Sequence, residues 1–231
     1  MPQNKTFIHS HLRTPKAAAV AGIVFSILLI ISFWIFRRAV PADPLEPGTW
    51  LSSDARAVAL ALNLIPFAGI GFLWFIGVLR DRLGPMEDRF FATVFLGSGL
   101  LFLGTLFVAA SILGALLLIH LASTATDAST VDAFRFGRAV AYILFNVYAV
   151  KMACVFMIST STVVVYTGIT PRWTAVIGYA LALLLLLGSS YLSWSFVVLP
   201  LWVLLISAHI LIDNLGGRDR SRHSATEPEL G

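Results

Sequence analysis

Lys151 is the residue of this 231-residue chain whose type and place first demand a chemical explanation. It stands inside an apolar stretch, 139–167, long enough to cross a membrane. On insertion scales a lysine at the centre of such a helix costs about 2.5–3.5 kcal/mol. No Asp or Glu lies in the interior of any candidate span, so no carboxylate is available at the same depth. The remaining answers are an anionic ligand, polar side chains, helix carbonyls, discharge by desolvation, or snorkelling of the amine to the interface. Tyr142 and Asn146 are four apart and share one helix face, and Tyr148 and Lys151 are three apart and share another. Asn63, in an earlier span, falls at a similar depth to Asn146. A polar pocket lined by Asn63, Asn146, Tyr148 and Lys151, holding an anionic lipid or small ligand, is therefore one expectation. Its competitor is ordinary helix–helix hydrogen bonding, at about 0.6 kcal/mol per contact. The structural reading is favoured, and for Lys151 so is snorkelling.

Other reactive side chains do not assemble into a known chemistry. His209 and Asp213 are four apart at the end of the last span, a spacing that suits capping better than catalysis. Ser159 and Ser161 lack the Gly-x-Ser context that an intramembrane serine protease would need opposite a histidine. His120 and His209 belong to opposite membrane faces, which argues against haem. His9 and His11 share a polar tail, poor geometry for a metal. Lys151 lacks the acidic counter-ion that a retinal Schiff base would want. No phosphate loop or dinucleotide fingerprint occurs. No catalytic residue, metal ligand or cofactor is assigned, and an enzyme is the least supported class.

The elements that would position these residues follow from composition. Hydrophobic residues make up 58% of the chain and charged ones 12%; mean hydropathy is +0.87. A soluble domain carries roughly 25% charged residues. The apolar residues fall in blocks, so hydrocarbon is the expected solvent. An all-α integral membrane bundle of about six helices is expected, with a transmembrane domain over 17–213. Its spans are 17–36, 57–79, 90–120, 139–167, 171–187 and 191–213, with the fourth helix starting near Val131. Residues 1–16 read as a polar cytoplasmic tail and 214–231 as a disordered one. A charged turn over 80–89 joins the second and third spans. Thr170 and Pro171 resemble the start of the fifth helix, and Ser129 with Asp132 the start of the fourth. Pro66 and Pro200 lie inside spans and are expected to kink them. Gly22, between Ala18 and Ser26, and Gly178, between Thr174 and Ala182, sit in small-residue stripes that permit close helix packing, within the chain or in an oligomer.

The net charge of +4 is spread over helix ends and tails, with no basic stripe for a nucleic acid. With the N-terminus inside, about ten Lys and Arg fall on the inner side and about five on the outer, so both termini are expected to be cytoplasmic. The segment Ile65-Pro66-Phe67-Ala68-Gly69-Ile70-Gly71-Phe72-Leu73-Trp74-Phe75-Ile76-Gly77, followed by Arg80-Asp81-Arg82-Leu83-Gly84 and Glu87-Asp88-Arg89-Phe90-Phe91, resembles a segment of uncharacterised multi-pass bacterial membrane proteins. That resemblance covers under a third of the chain. It implies a bacterial cell membrane and a helical hairpin, with no activity attached. A non-enzymatic multi-pass membrane protein acting through protein partners or lipids is the leading expectation. A small-solute or lipid transporter or channel with a pocket at Lys151 is the alternative.

Overall fold

The computed structural model describes residues 14–40, 50–83, 89–122, 128–168, 170–188 and 194–224. Every element among the described residues is helical: α1 (Thr14–Ala39), α2 (Trp50–Leu83), α3 (Arg89–Ala122), α4 (Ala128–Ile143), a π-helical segment (Leu144–Ala149), α5 (Val150–Thr167), α6 (Arg172–Gly188) and α7 (Ser195–Ser224). Helices are what an apolar chain must form in hydrocarbon, because only they satisfy their backbone groups internally. Several side-chain hydroxyls follow the same rule. Ser26, Ser98, Thr105, Ser159 and Thr160 each donate to the carbonyl four residues back on their own helix.

Among the described residues, five stretches are long and apolar enough to cross a bilayer: Ala17–Ala39, Asp54–Arg80, Ala92–Leu121, Val131–Tyr166 and Ser195–Ile212. The sixth apolar helix, α6, has 17 residues, about 25 Å at 1.5 Å per residue, shorter than the roughly 30 Å hydrocarbon core. α3, with 34 residues, is far longer and must tilt or protrude. The outer surface is what a lipid-embedded bundle requires. Trp74 is 68% and Leu187 75% exposed, among many large apolar side chains on the exterior. In water such a surface would be an aggregation liability. The helices thus have the character of a multi-pass membrane protein.

The structure differs from the sequence expectations in three places. The fourth span is not one α-helix: α4 starts at Ala128, and a π segment separates it from α5. Inward-facing positions here recur every four residues, at Ala141, Phe145, Ala149, Ala153 and Met157. At 100° per residue an α-helix would rotate that face by about 40° per step, about 160° in all. The wider π-turn, with one extra residue, takes up much of that drift. α7 continues to Ser224, well past position 213, because a polar sequence ends the membrane span without ending the helix. Pro171 precedes α6: its carbonyl accepts from Thr174 N at 3.0 Å and from Thr174 Oγ1 at 2.8 Å, and Thr170 Oγ1 meets Thr174 Oγ1 at 2.8 Å. The centre of the 80–89 turn, the Ser129 side chain, most of the N-terminal tail and residues 225–231 lie outside the described residues.

The core is aromatic. Phe72 of α2 packs against Phe25 of α1 at 4.6 Å, Phe102 of α3 at 5.4 Å and Phe156 of α5 at 5.0 Å. Gly71 lets α1 and α2 meet closely, since a Cβ there would lie 3.2 Å from Ala21 O and Phe25 N. Short connectors make consecutive helices antiparallel. The ends of α1 and α3 therefore lie with the starts of α2, α4 and α7, at what is called below the α1–α2 end.

Candidate functional site

A cavity of about 270 Å³ opens at the α1–α2 end between α1, α2, α3, α4 and the start of α7. Its position follows from local sequence. Arg37 and Arg38 occupy the last turn of α1, where cations complement the helix dipole. Arg38 turns away, over the Trp34 ring at 4.9 Å, whereas Arg37 lines the cavity. Opposite, Gly137 brings α4 against α3, for a Cβ there would sit 3.0 Å from Leu116 Cδ2. The next residue, Arg138, is only 4% exposed and lines the same cavity. Tyr142 and Asn146 add a phenol and an amide to the wall. Most of the remaining lining is apolar, including Phe33, Phe36, Ile65, Leu106 and Leu113.

Three rings form the floor. Phe33 stands edge-on to Phe145 at 5.0 Å and to Phe196 at 5.0 Å, and Phe145 and Phe196 are 6.0 Å apart. These same rings line a second, much narrower and largely apolar pocket of about 10 Å³, bounded beyond them by Phe102, Val150, Ala153, Leu199 and the hydroxyl-bearing Ser195. The aromatic triad therefore divides one polar-mouthed cavity from one apolar recess. Phe145 belongs to the π segment, a feature that recurs at functional sites. Pro200, buried in α7, removes the N–H that the Phe196 carbonyl would otherwise accept.

The residues singled out from sequence are distributed differently. Lys151 Nζ donates to the carbonyl oxygen of Leu186 in the last turn of α6. Such a carbonyl has no intrahelical partner, and a cation beside it complements the dipole. Asn146 lines the cavity while its amide donates to Tyr142 O at 3.0 Å. Asn63 is exposed and donates to Ala59 O at 2.8 Å, and Tyr148 is 55% exposed. Of these four, only Asn146 borders the cavity. Pro66 lies within α2 on its exposed side.

Gly22 and Gly178 sit at contacts within the chain. A Cβ on Gly22 would collide with Ser207 Oγ of α7 and reach 2.9 Å from Phe75 Cδ2 of α2; one on Gly178 would collide with Ser161 Oγ of α5 and reach 2.8 Å from Trp202 Cζ2 of α7. His209 stands edge-on to Trp173 at 6.4 Å, and the Asp213 side chain lies outside the described residues. Arg138 is the residue that sequence reasoning passed over. Its signal was present: Arg138, Ala141 and Phe145 stand at i, i+3 and i+7, one face of a helix. Among the described residues no group of three or more His, Cys, Asp or Glu could hold a metal. Neither a family model, nor a curated protein, nor a solved structure matches the chain.

Proposed function

We propose that this multi-pass membrane protein acts by binding a ligand in the cavity at the α1–α2 end, without transforming it. The observation that carries this is Arg138, an always-charged side chain 4% exposed in the wall of an otherwise largely apolar cavity that Arg37 also lines. Ionisable groups at membrane depth are expensive and mark functional sites by default. Concave apolar cavities with a few convergent polar groups are the usual form of a small-molecule site. In the same proposal the chain lies in a bacterial cell membrane, as the resemblance of residues 65–91 implies, with both termini cytoplasmic on the distribution of its Lys and Arg. The cavity then opens toward the outer side. Gly22 and Gly178, the small residues that could have served a partner, are engaged inside the chain, which favours a lipid or small ligand over a protein.

Transport of that ligand is the second reading. It is favoured by the placing of a π segment and a proline one helical turn from Phe196 around the aromatic floor, where irregular backbone eases a movement of the rings. Native mass spectrometry of the protein, released from its membrane into a neutral detergent, tests the binding proposal. Wild type should carry a bound mass that is lost in Ala110→Phe, which fills the cavity from α3. Identical spectra, with no adduct on either, would refute binding at this site.

A further inference from the structure

Given the binding function proposed above, we infer that the ligand is a single-chain anionic amphiphile, a phosphate or carboxylate on an alkyl tail, which enters from the bilayer. The head is specified by charge. Arg37 at the rim and Arg138 in the wall both border the cavity, and guanidinium groups match the planar, bidentate geometry of phosphate and carboxylate oxygens. Both arginines hold other interactions in the structure. With five N–H donors each, they retain capacity for an anion. Tyr142 can add a hydroxyl from the same wall.

The tail is specified by what lies below. Beneath the head, the cavity wall is Phe33, Phe145 and Phe196, and the same three rings cap the narrow apolar recess. An alkyl chain leaving the head meets mainly rings and aliphatic side chains on that path, with the Ser195 hydroxyl beside it, so a charged group on the tail would be stranded there. The recess holds about 10 Å³ as it stands, so a tail of any length must displace a ring. Phe145 is the ring best placed to give way, because its backbone is π-helical and can exchange its wider turn for an α-turn. A bare anion would satisfy the arginines and leave the aromatic floor without a role. A neutral amphiphile would use the floor and draw nothing from the charge of the two guanidinium groups that border the cavity.

The inference is tested by titrating three probes into purified protein in maltoside micelles and following intrinsic tryptophan fluorescence or the heat of binding. The probes are dodecyl phosphate, inorganic phosphate and dodecanol. Dodecyl phosphate should bind wild type at least roughly tenfold more tightly than either other probe, since each lacks one half of the recognised chemistry. Arg138→Gln should weaken dodecyl phosphate roughly tenfold or more, the loss expected when a hydrogen bond to a charged group disappears. Arg37→Gln, at the exposed rim, keeps the test usable if Arg138→Gln fails to fold, and should weaken it less. Inorganic phosphate binding as tightly as dodecyl phosphate would overturn the amphiphile and leave a small-anion site. Dodecanol binding as tightly, with no effect of either arginine variant, would overturn the anionic head. No binding of any probe, together with no native adduct lost in Ala110→Phe, would remove the binding proposal itself. Nanodiscs of phosphatidylcholine with and without phosphatidylglycerol locate the source: competition only from the anionic discs identifies a bilayer lipid, and none from either overturns entry from the bilayer.

Discussion

Replacing Lys151 with methionine isolates a polar contact that ties α5 to the end of α6. The substitution keeps the apolar stem and removes the amine that donates to Leu186 O. A hydrogen bond from a charged group contributes about 1.5–3 kcal/mol net, and a cation in the last helical turn about 0.3–1 kcal/mol through the dipole. Lys151 is half-buried, which places the combined loss at the lower end, about 1.5–2 kcal/mol. The opposing term is relief of a charge in apolar surroundings. That relief is largest at the bilayer centre. Lys151 is level with the last turn of α6, away from the middle of that helix, so the relief is the smaller term. The net loss is about 1 kcal/mol, a fall in Tm of about 2–4 °C for a chain of this size. Lys151→Arg, which keeps a donor and the charge, should lose less. Thermal unfolding in one detergent, followed by tryptophan fluorescence, compares the three proteins. A Lys151→Met protein melting at or above the wild type would show that Lys151 merely snorkels, and would refute the capping argument.

Other perturbations follow from the same contacts. Gly71→Ala places a Cβ 3.2 Å from the α1 backbone, which cannot rotate aside as a side chain can, so Tm should drop by an amount equivalent to about 1–3 kcal/mol. Ser161→Ala should leave Tm unchanged or raise it, because Ser161 Oγ is buried without a hydrogen-bond partner; a clear fall would point to an ordered water there. Tyr179→Phe removes the 2.7 Å contact with Thr162 Oγ1 and should cost only about 0.6 kcal/mol in the same melting assay. Deleting Val147 should yield folded protein by size-exclusion profile, since the π-turn already holds one extra residue. Deleting Val155 should not, because it turns the inward face of α5 by about 100°.

Much of the architecture was legible because hydrocarbon imposes a simple rule: a run long enough and apolar enough becomes a helix. The runs ending at Phe36, Leu79 and His120 were visible for that reason, with Pro66 inside the second of them. Helix carbonyls also stood among the possible answers to Lys151. What escaped was governed by packing between helices. The π segment has no residue signature; it arises because inward positions four apart must stay aligned along a long span. Arg138 shares its turns with Asp132 and Arg135, so charge alone marked that stretch as outside lipid. Its burial depends on Gly137 meeting Leu116 of α3, a contact between segments distant in sequence. Asn63 and Tyr148 matched Asn146 and Lys151 in depth, yet depth does not fix direction around a helix, and both face outward. The cavity combines the end of α1 with the wall of α4 and the start of α7, a junction that no local spacing encodes.

A density map of the protein in lipid nanodiscs, by electron cryomicroscopy at a resolution that shows side chains, would show whether the cavity holds a ligand. Non-protein density is expected beside Arg138, with a head against the guanidinium groups of Arg138 and Arg37 and a tail reaching Phe33, Phe145 and Phe196. A cavity closed by its own side chains, with Arg138 turned out to the headgroup region, would contradict this expectation.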